Sequence, residues 1–160
     1  MVGVEDHQGN RLSLPRDAAG NLIRAHSSGG SELDFEHDGQ NRITQVRDRS
    51  GQHVDYFYDS SGRLVHVQDL GGQTTDYSYD AKNRMTTVMQ NGNLILTTEY
   101  DTIDRVIRQT LSDGRVYTFK YSLDHNGRVV EVEARDSAGL TWKITMSGDA
   151  QYTMKAVRNQ

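Results

Sequence analysis

The sequence predicts an all-β fold: an antiparallel meander of β-hairpins in a twisted, curled sheet. Three observations carry that expectation. A unit of 21 residues recurs about six times along the 160-residue chain. Each unit holds two clusters of turn-forming residues. Between the clusters, apolar and polar residues alternate with period two, and no stretch of 12 or more shows a helical period.

The elements follow in order. A partial copy occupies residues 1–16, with Asp6, Gly9, Leu12 and Leu14 in register with the second half of a unit. Copies then begin at Asp17, Asp38, Asp59, Asp80 and Asp101 in steps of 21, and a sixth begins at Asp124, two residues late. Three residues after each Asp stands Gly20, Asn41, Gly62, Asn83, Asp104 or Gly127, residue types that adopt positive φ most readily. An Asp side chain accepts hydrogen bonds from backbone N–H groups just ahead of it, so each cluster reads as a type I turn followed by a left-handed residue. Arg42, Arg63, Arg84 and Arg105 come next, with Asn21 in the first full copy. These arginines are expected to pair with the aspartates of adjacent hairpins and to shield apolar surface with their stems.

A second set of turns falls about ten residues further on, at Asp6–Gly9, Asp48–Gly51, Asp69–Gly72 and around Gly114. Two turns per unit leave strands of about seven residues, close to the usual strand length. The apolar positions of the strands include an aromatic stripe: Phe35, Tyr56, Tyr58, Tyr77, Tyr79, Tyr100, Phe119 and Tyr121. Its parity assigns the stripe to the packed face and leaves residues such as Glu32, Asp34, His53, Asp55 and Asp76 on the wet one. A single isolated sheet cannot bury such a stripe, so curling, further copies or a partner must cover it, and its open edges invite edge-to-edge association. The repeat array is expected over 1–146. The segment 147–160 loses the pattern and is expected to be a cap or a frayed end.

Composition narrows the function. A net charge of −4 offers nucleic acid no electrostatic attraction, and no run is apolar enough for a spanning helix. Cysteine is absent, which excludes disulfides and thiolate chemistry. The first residues lack the pattern of a signal peptide, so export is expected only as part of a larger protein. The turn aspartates recur too regularly to be one asymmetric acid–base pair, and the histidines have no zinc spacing. Asp34, Glu36, His37 and Asp38 are too few and too local to converge on a metal. No catalytic, cofactor or metal residue is therefore expected. The turn residues and the aromatic stripe are the architectural candidates.

The pattern Tyr-Asp-x-x-Gly-Arg-Leu, then Asp-x-x-Gly, then Tyr-x-Tyr-Asp, seen best from Tyr58 to Asp80, resembles the RHS or YD repeat. The resemblance extends over roughly Val4 to Trp142. It implies a spiralling sheet of hairpins that forms part of a hollow shell, as in bacterial Rhs polymorphic toxins, Tc toxins and teneurins. By that resemblance the partners are other RHS repeats and an enclosed toxin or effector polypeptide. Pro15 is the only proline, so no Asp-Pro self-cleavage motif is present. The alternative is a free-standing adhesion or carbohydrate-binding module that uses exposed aromatic and acidic residues.

Overall fold

The computed structural model describes residues 2–146 and 152–157. All regular structure among these residues is β, and the strands follow one another in chain order in one antiparallel meander. The chain divides into two compact units, Met1–Asp76 and Tyr77–Gln160. The first holds β1 (Val2–Glu5), β2 (Arg11–Leu14), β3 (Arg24–Ser27), β4 (Glu32–His37), β5 (Ile43–Asp48), β6 (His53–Tyr58) and β7 (Leu64–Gln68). The division falls inside β8 (Thr74–Tyr79). The second holds β9 (Met85–Gln90), β10 (Asn93–Tyr100), β11 (Val106–Leu111), β12 (Val116–Leu123), β13 (Val129–Asp136), β14 (Thr141–Met146) and β15 (Tyr152–Val157). Within 147–160, Tyr152–Val157 thus pairs with β14 as a strand. The rest of that segment lies outside the described residues.

Register explains how the aromatic stripe keeps its face. Phe35 lies opposite Val46, Val46 opposite Val54, and Tyr56 opposite Val67, so these side chains share one side of the first unit. In the second unit Phe119, Ala134 and Trp142 line up across three strands, as do Tyr121, Val132 and Ile144. Hairpins closed by the Asp-x-x-Gly/Asn/Asp-Arg turns carry a bulge just after the arginine. Tyr58 opposes Leu64 while Phe57 opposes His66, which leaves Val65 as the extra residue. Thr44, Ile107 and Val130 are extra in the same way. A bulge places two residues opposite one, and this is how adjacent Leu64 and Val65 both follow a strand of period two.

The hairpin β9–β10 departs from this plan without losing the repeat. It closes through a two-residue loop, Asn91 and Gly92, with φ of 49° and 77°. Positive φ at both positions marks the tight hairpin turn that Asn-Gly favours. The loop is one residue shorter than its three-residue counterparts, and a bulge at Ile95 restores the count, since Leu94 opposes Met89 and Leu96 opposes Val88.

The other face is a lattice of cross-strand polar pairs. Arg24 Nε lies 2.6 Å from Asp34, His66 Nδ1 2.6 Å from Asp76, and Lys143 Nζ 3.2 Å from Glu131. Such exposed pairs are screened by solvent, so they fix register more than they stabilise. Among the described residues no apolar side chain is fully buried; the buried residues are Thr98 and Thr141. Thr98 occupies the repeat position held by Tyr56, Tyr77 and Phe119 in other copies. The eight residues of the aromatic stripe are half-buried.

Candidate functional site: the aspartate turns and the arginine–tyrosine clamp

Each turn is organised by one carboxylate. In Asp38–Arg42, Asp38 Oδ1 accepts from the backbone N–H groups of Gln40 (2.8 Å) and Arg42 (3.0 Å). The Asp38 carbonyl accepts from Asn41 N–H at 3.0 Å, and Asp38 N–H donates to the Arg42 carbonyl at 2.9 Å. The other carboxylate oxygen, Oδ2, receives Arg42 Nε at 2.7 Å and Nη2 at 2.6 Å. The Asp59, Asp80 and Asp101 turns repeat the capping bonds to the second and fourth residues, and in each the arginine Nε donates to Oδ2. The closing residue is left-handed throughout: φ is 62° at Asn41, 64° at Asn83, 69° at Asp104, 90° at Gly20, 83° at Gly62 and 79° at Gly127. In the first copy Asn21 replaces arginine and bonds Asp17 through its amide. Asp124 caps Asn126 and Arg128 through their backbone N–H groups.

These bonds favour the ionised carboxylate. The side-chain bond from its arginine is the leading cause holding Asp38 and Asp80 below the usual aspartate value. For Asp59 and Asp101 the leading cause is the backbone N–H of Arg63 and Arg105. Each arginine thus serves first the aspartate of its own turn, where the sequence had suggested those of adjacent hairpins; Arg84 does both, since its Nη1 also meets Asp104 of the next turn. The five-residue loop brings the two side chains together directly, leaving no need for a longer reach.

The arginine has a second role that spacing did not reveal. The guanidinium carbon of Arg42 sits 4.4 Å from the ring centroid of Tyr58, one repeat on. Tyr58 Oη in turn donates to the Ile43 carbonyl at 2.8 Å. Arg84 and Tyr100 repeat this at 4.7 Å, with Tyr100 Oη on the Met85 carbonyl at 2.6 Å. Arg105 and Tyr121 do so at 4.7 Å, with Tyr121 Oη on the Val106 carbonyl at 2.7 Å. Burial raises the Tyr58 and Tyr121 hydroxyls above the ordinary phenol value, which keeps them as donors. The tyrosine of the YD word thus closes over the arginine of the preceding copy. A cation–π contact of about 0.5–1 kcal/mol and a hydroxyl bond of about 1 kcal/mol join neighbouring copies.

Clamps also tie turn to turn. Arg84 Nη1 donates to the Asp101 carbonyl and to Asp104 Oδ1, both at 2.9 Å, and Asn21 Nδ2 donates to Asn41 Oδ1 at 2.9 Å. Arg105 Nη1 is buried without a hydrogen-bond partner among the described residues. The turn that follows it begins at Asp124, 23 residues after Asp101 where 21 is the rule.

The turns at the other ends of the hairpins use the same cap without the clamp. Asp48 and Asp69 each cap two backbone N–H groups, and the residue completing each loop is Gln52 or Gln73. The structure adds turns here that sequence reading missed. Ser27 caps Ser31 N–H at 3.1 Å and precedes Gly30 with φ of 89°, and Asp136 caps Leu140 N–H at 2.8 Å and precedes Gly139 with φ of 88°. Ser-x-Gly-Gly and Asp-x-x-Gly were the available signals. Among the described residues no three His, Cys, Asp or Glu side chains are grouped to hold a metal ion, and no helix is long and apolar enough to cross a membrane.

The geometry can be set beside known proteins. A family model described as Teneurin YD-shell matches residues 22–138. No curated protein matches the chain. Among solved structures, a crystal structure of TcdB2-TccC3-TEV aligns with a TM-score of 0.67 at 17% identity, covering 96% of this chain and 10% of the other. The Photorhabdus luminescens Tc holotoxin pore with the TccC3 D651A mutation aligns at 0.65 and 17% identity, covering 96% and 9%. The crystal structure of TcdB2-TccC3 aligns at 0.60 and 15%, covering 91% and 10%. At these identities the likeness is one of fold, and the chain spans about a tenth of the length of those structures.

Proposed function

We propose that this chain, which belongs to the Teneurin YD-shell family, is a non-catalytic segment of a shell wall that encloses a toxin or effector polypeptide outside the producing cell. The observation that carries the reading is a clamped meander with no fully buried apolar side chain among its described residues. Hairpins locked copy to copy by arginine and tyrosine supply stiffness, while the half-exposed aromatic stripe supplies an apolar face that needs covering. A wall needs both properties and an enzyme needs neither. The wall works through area, excluding solvent and proteases from what it covers.

The test is the endogenous protein. Its intact mass should be several times that of this chain alone, and limited proteolysis should spare an internal fragment until mild denaturant opens the wall. A native species no longer than this chain, or no protected fragment, would overturn the reading. A second reading, glycan binding, has one observation in its favour. Phe57 stands half-exposed on the polar face, its ring edge-on to His66 at 5.3 Å. Saturable binding on a glycan array that Phe57→Ala abolishes would establish it.

A further inference from the structure

The chain holds two Asn-Gly steps, Asn91–Gly92 and Asn126–Gly127, both on exposed turns. Such a step carries its own chemistry. The glycine nitrogen, once it has lost its proton to hydroxide, attacks the asparagine Cγ. A bond forms from that nitrogen to Cγ, the Cγ–Nδ2 bond breaks, and ammonia leaves with a proton taken from water. Water then opens the five-membered imide. Opening at Cγ gives aspartate. Opening at the main-chain carbonyl carbon gives isoaspartate, whose backbone runs through Cβ and Cγ and is one methylene longer. Glycine favours the closure because no side chain obstructs its nitrogen.

The fold treats the two steps differently. Gly127 N–H donates to the Asp124 carbonyl at 3.0 Å, and Asp124 Oδ1 accepts from Asn126 N–H at 2.8 Å. Removing the Gly127 proton therefore breaks a turn bond and builds negative charge beside a carboxylate. At the other step the pairing that closes the loop is Gln90 with Asn93, and no backbone hydrogen bond among the described residues engages the Gly92 N–H. From Met89 to Leu94 no side chain is charged. A Cβ built at Gly92 would meet nothing within 4 Å, so water reaches that side of the loop.

We propose that Asn91–Gly92 is a self-modification site, which deamidates ahead of Asn126 and marks the age of the β9–β10 hairpin. The site sits where an added backbone atom has most effect. This hairpin closes through two residues where its counterparts use three, and the bulge at Ile95 restores its count. Both loop residues hold positive φ, 49° and 77°, as the tight turn requires. Isoaspartate lengthens that loop from within and puts a carboxylate where the chain has none. The pairing of Gln90 with Asn93 is then the first to give way. The inference goes beyond the wall reading and does not rest on it, since it concerns one hairpin of this chain whatever the sheet encloses.

Folded protein aged in mildly alkaline buffer and then digested with trypsin yields the two steps in separate peptides, Met85–Arg105 and Tyr121–Arg128. Mass spectrometry should show the first converting about fivefold faster than the second, the factor that one hydrogen bond of about 1 kcal/mol is worth. Electron-transfer fragmentation should place isoaspartate at residue 91 and not at Asn93, which Leu94 follows. In denaturant the two rates should converge. Equal rates in the folded protein would overturn the proposal, and so would a ratio that persists in denaturant, because neighbouring residues and not the fold would then set the order. The consequence is read by amide exchange, which should be faster at Gln90 and Asn93 in the isoaspartate form than in fresh protein. Asn91→Asp, which adds the charge without the methylene, should exchange close to the fresh rate. Isoaspartate that leaves exchange unchanged would remove the weakening of the hairpin. The intact mass of the endogenous protein, on which the wall reading turns, is untouched by any of these results.

Discussion

Hairpin turns at the two ends of the strands are made from the same carboxylate cap, yet only one set carries a clamp. Asp80 caps two N–H groups, holds Arg84, and through Arg84 engages Tyr100 and the next turn. Asp69 caps two N–H groups in its loop. The difference teaches that the Asp-x-x-Gly signature builds a turn, whereas the added arginine and the tyrosine 16 residues later build a joint between copies. The arginine–tyrosine joint is therefore assigned to one end of the hairpins; at the other, turns are linked by bonds such as Arg49 Nη1 to the Gly30 carbonyl at 3.3 Å.

The comparison can be broken in several ways. The largest effect is expected from Tyr100→Ala, which removes a half-buried ring, the contact with Arg84 and the hydroxyl bond together. It should destabilise by about 3 kcal/mol in urea unfolding, whereas Leu70→Ala at an unclamped tip should stay within about 0.5 kcal/mol. A cost for Leu70→Ala equal to that of Tyr100→Ala would erase the distinction between the ends.

Next comes backbone strain. Gly62 has φ of 83° and Gly72 has φ of 77°, so valine at either should cost about 1 kcal/mol or more. Gly62→Val should cost more, because its Cβ also meets Arg42 Nη1, while nothing lies within 4 Å of a Cβ at Gly72. Equal melting temperatures for the two variants would mean that the arginine yields freely.

Tyr100→Phe isolates the hydroxyl. Loss of the bond to the Met85 carbonyl should cost about 1 kcal/mol by chemical denaturation, and amide exchange of the adjoining turn should speed up. A smaller contrast is expected between arginines. Arg105→Met should lower the melting temperature less than Arg84→Met, because Arg105 Nη1 has no partner to lose.

The gentlest test is acid. The folded pKa values of Asp38, Asp59, Asp80 and Asp101 lie below the ordinary 3.8, so their contribution is fully present above that value. It is lost as pH falls through the folded values, because the unfolded chain then binds protons more readily. Stability followed from pH 5 downward should hold until about pH 4 and then drop. Asp38→Asn with Asp80→Asn should flatten that drop, and an unchanged acid limb would show that the turn carboxylates are not its source.

Much of this was legible in the residues. Asp38, Asn41 and Arg42 lie within five positions of one another, and a capped turn with a left-handed fourth residue follows from such local contacts. The bulges at Val65 and Ile107 were hidden, because a bulge is a property of pairing between strands and leaves no residue type of its own. Asn91-Gly92 was visible as a tight-turn signal, but the regular 21-residue step concealed it, since Ile95 restores the count. The pairing of Arg42 with its own Asp38 was misjudged because charge columns suggest neighbours without giving distances.

By itself, then, the sequence determined the period, the positions of most turns and the face on which the aromatic stripe lies. Each depends on contacts a few residues apart or on alternation along a strand, and both are written directly in residue order. Only the tertiary structure decided that Tyr58 closes over Arg42, that Arg105 is left one bond short, and that Arg84 reaches the turn of the next copy. Those outcomes depend on where residues 16 or more apart meet once the strands have paired.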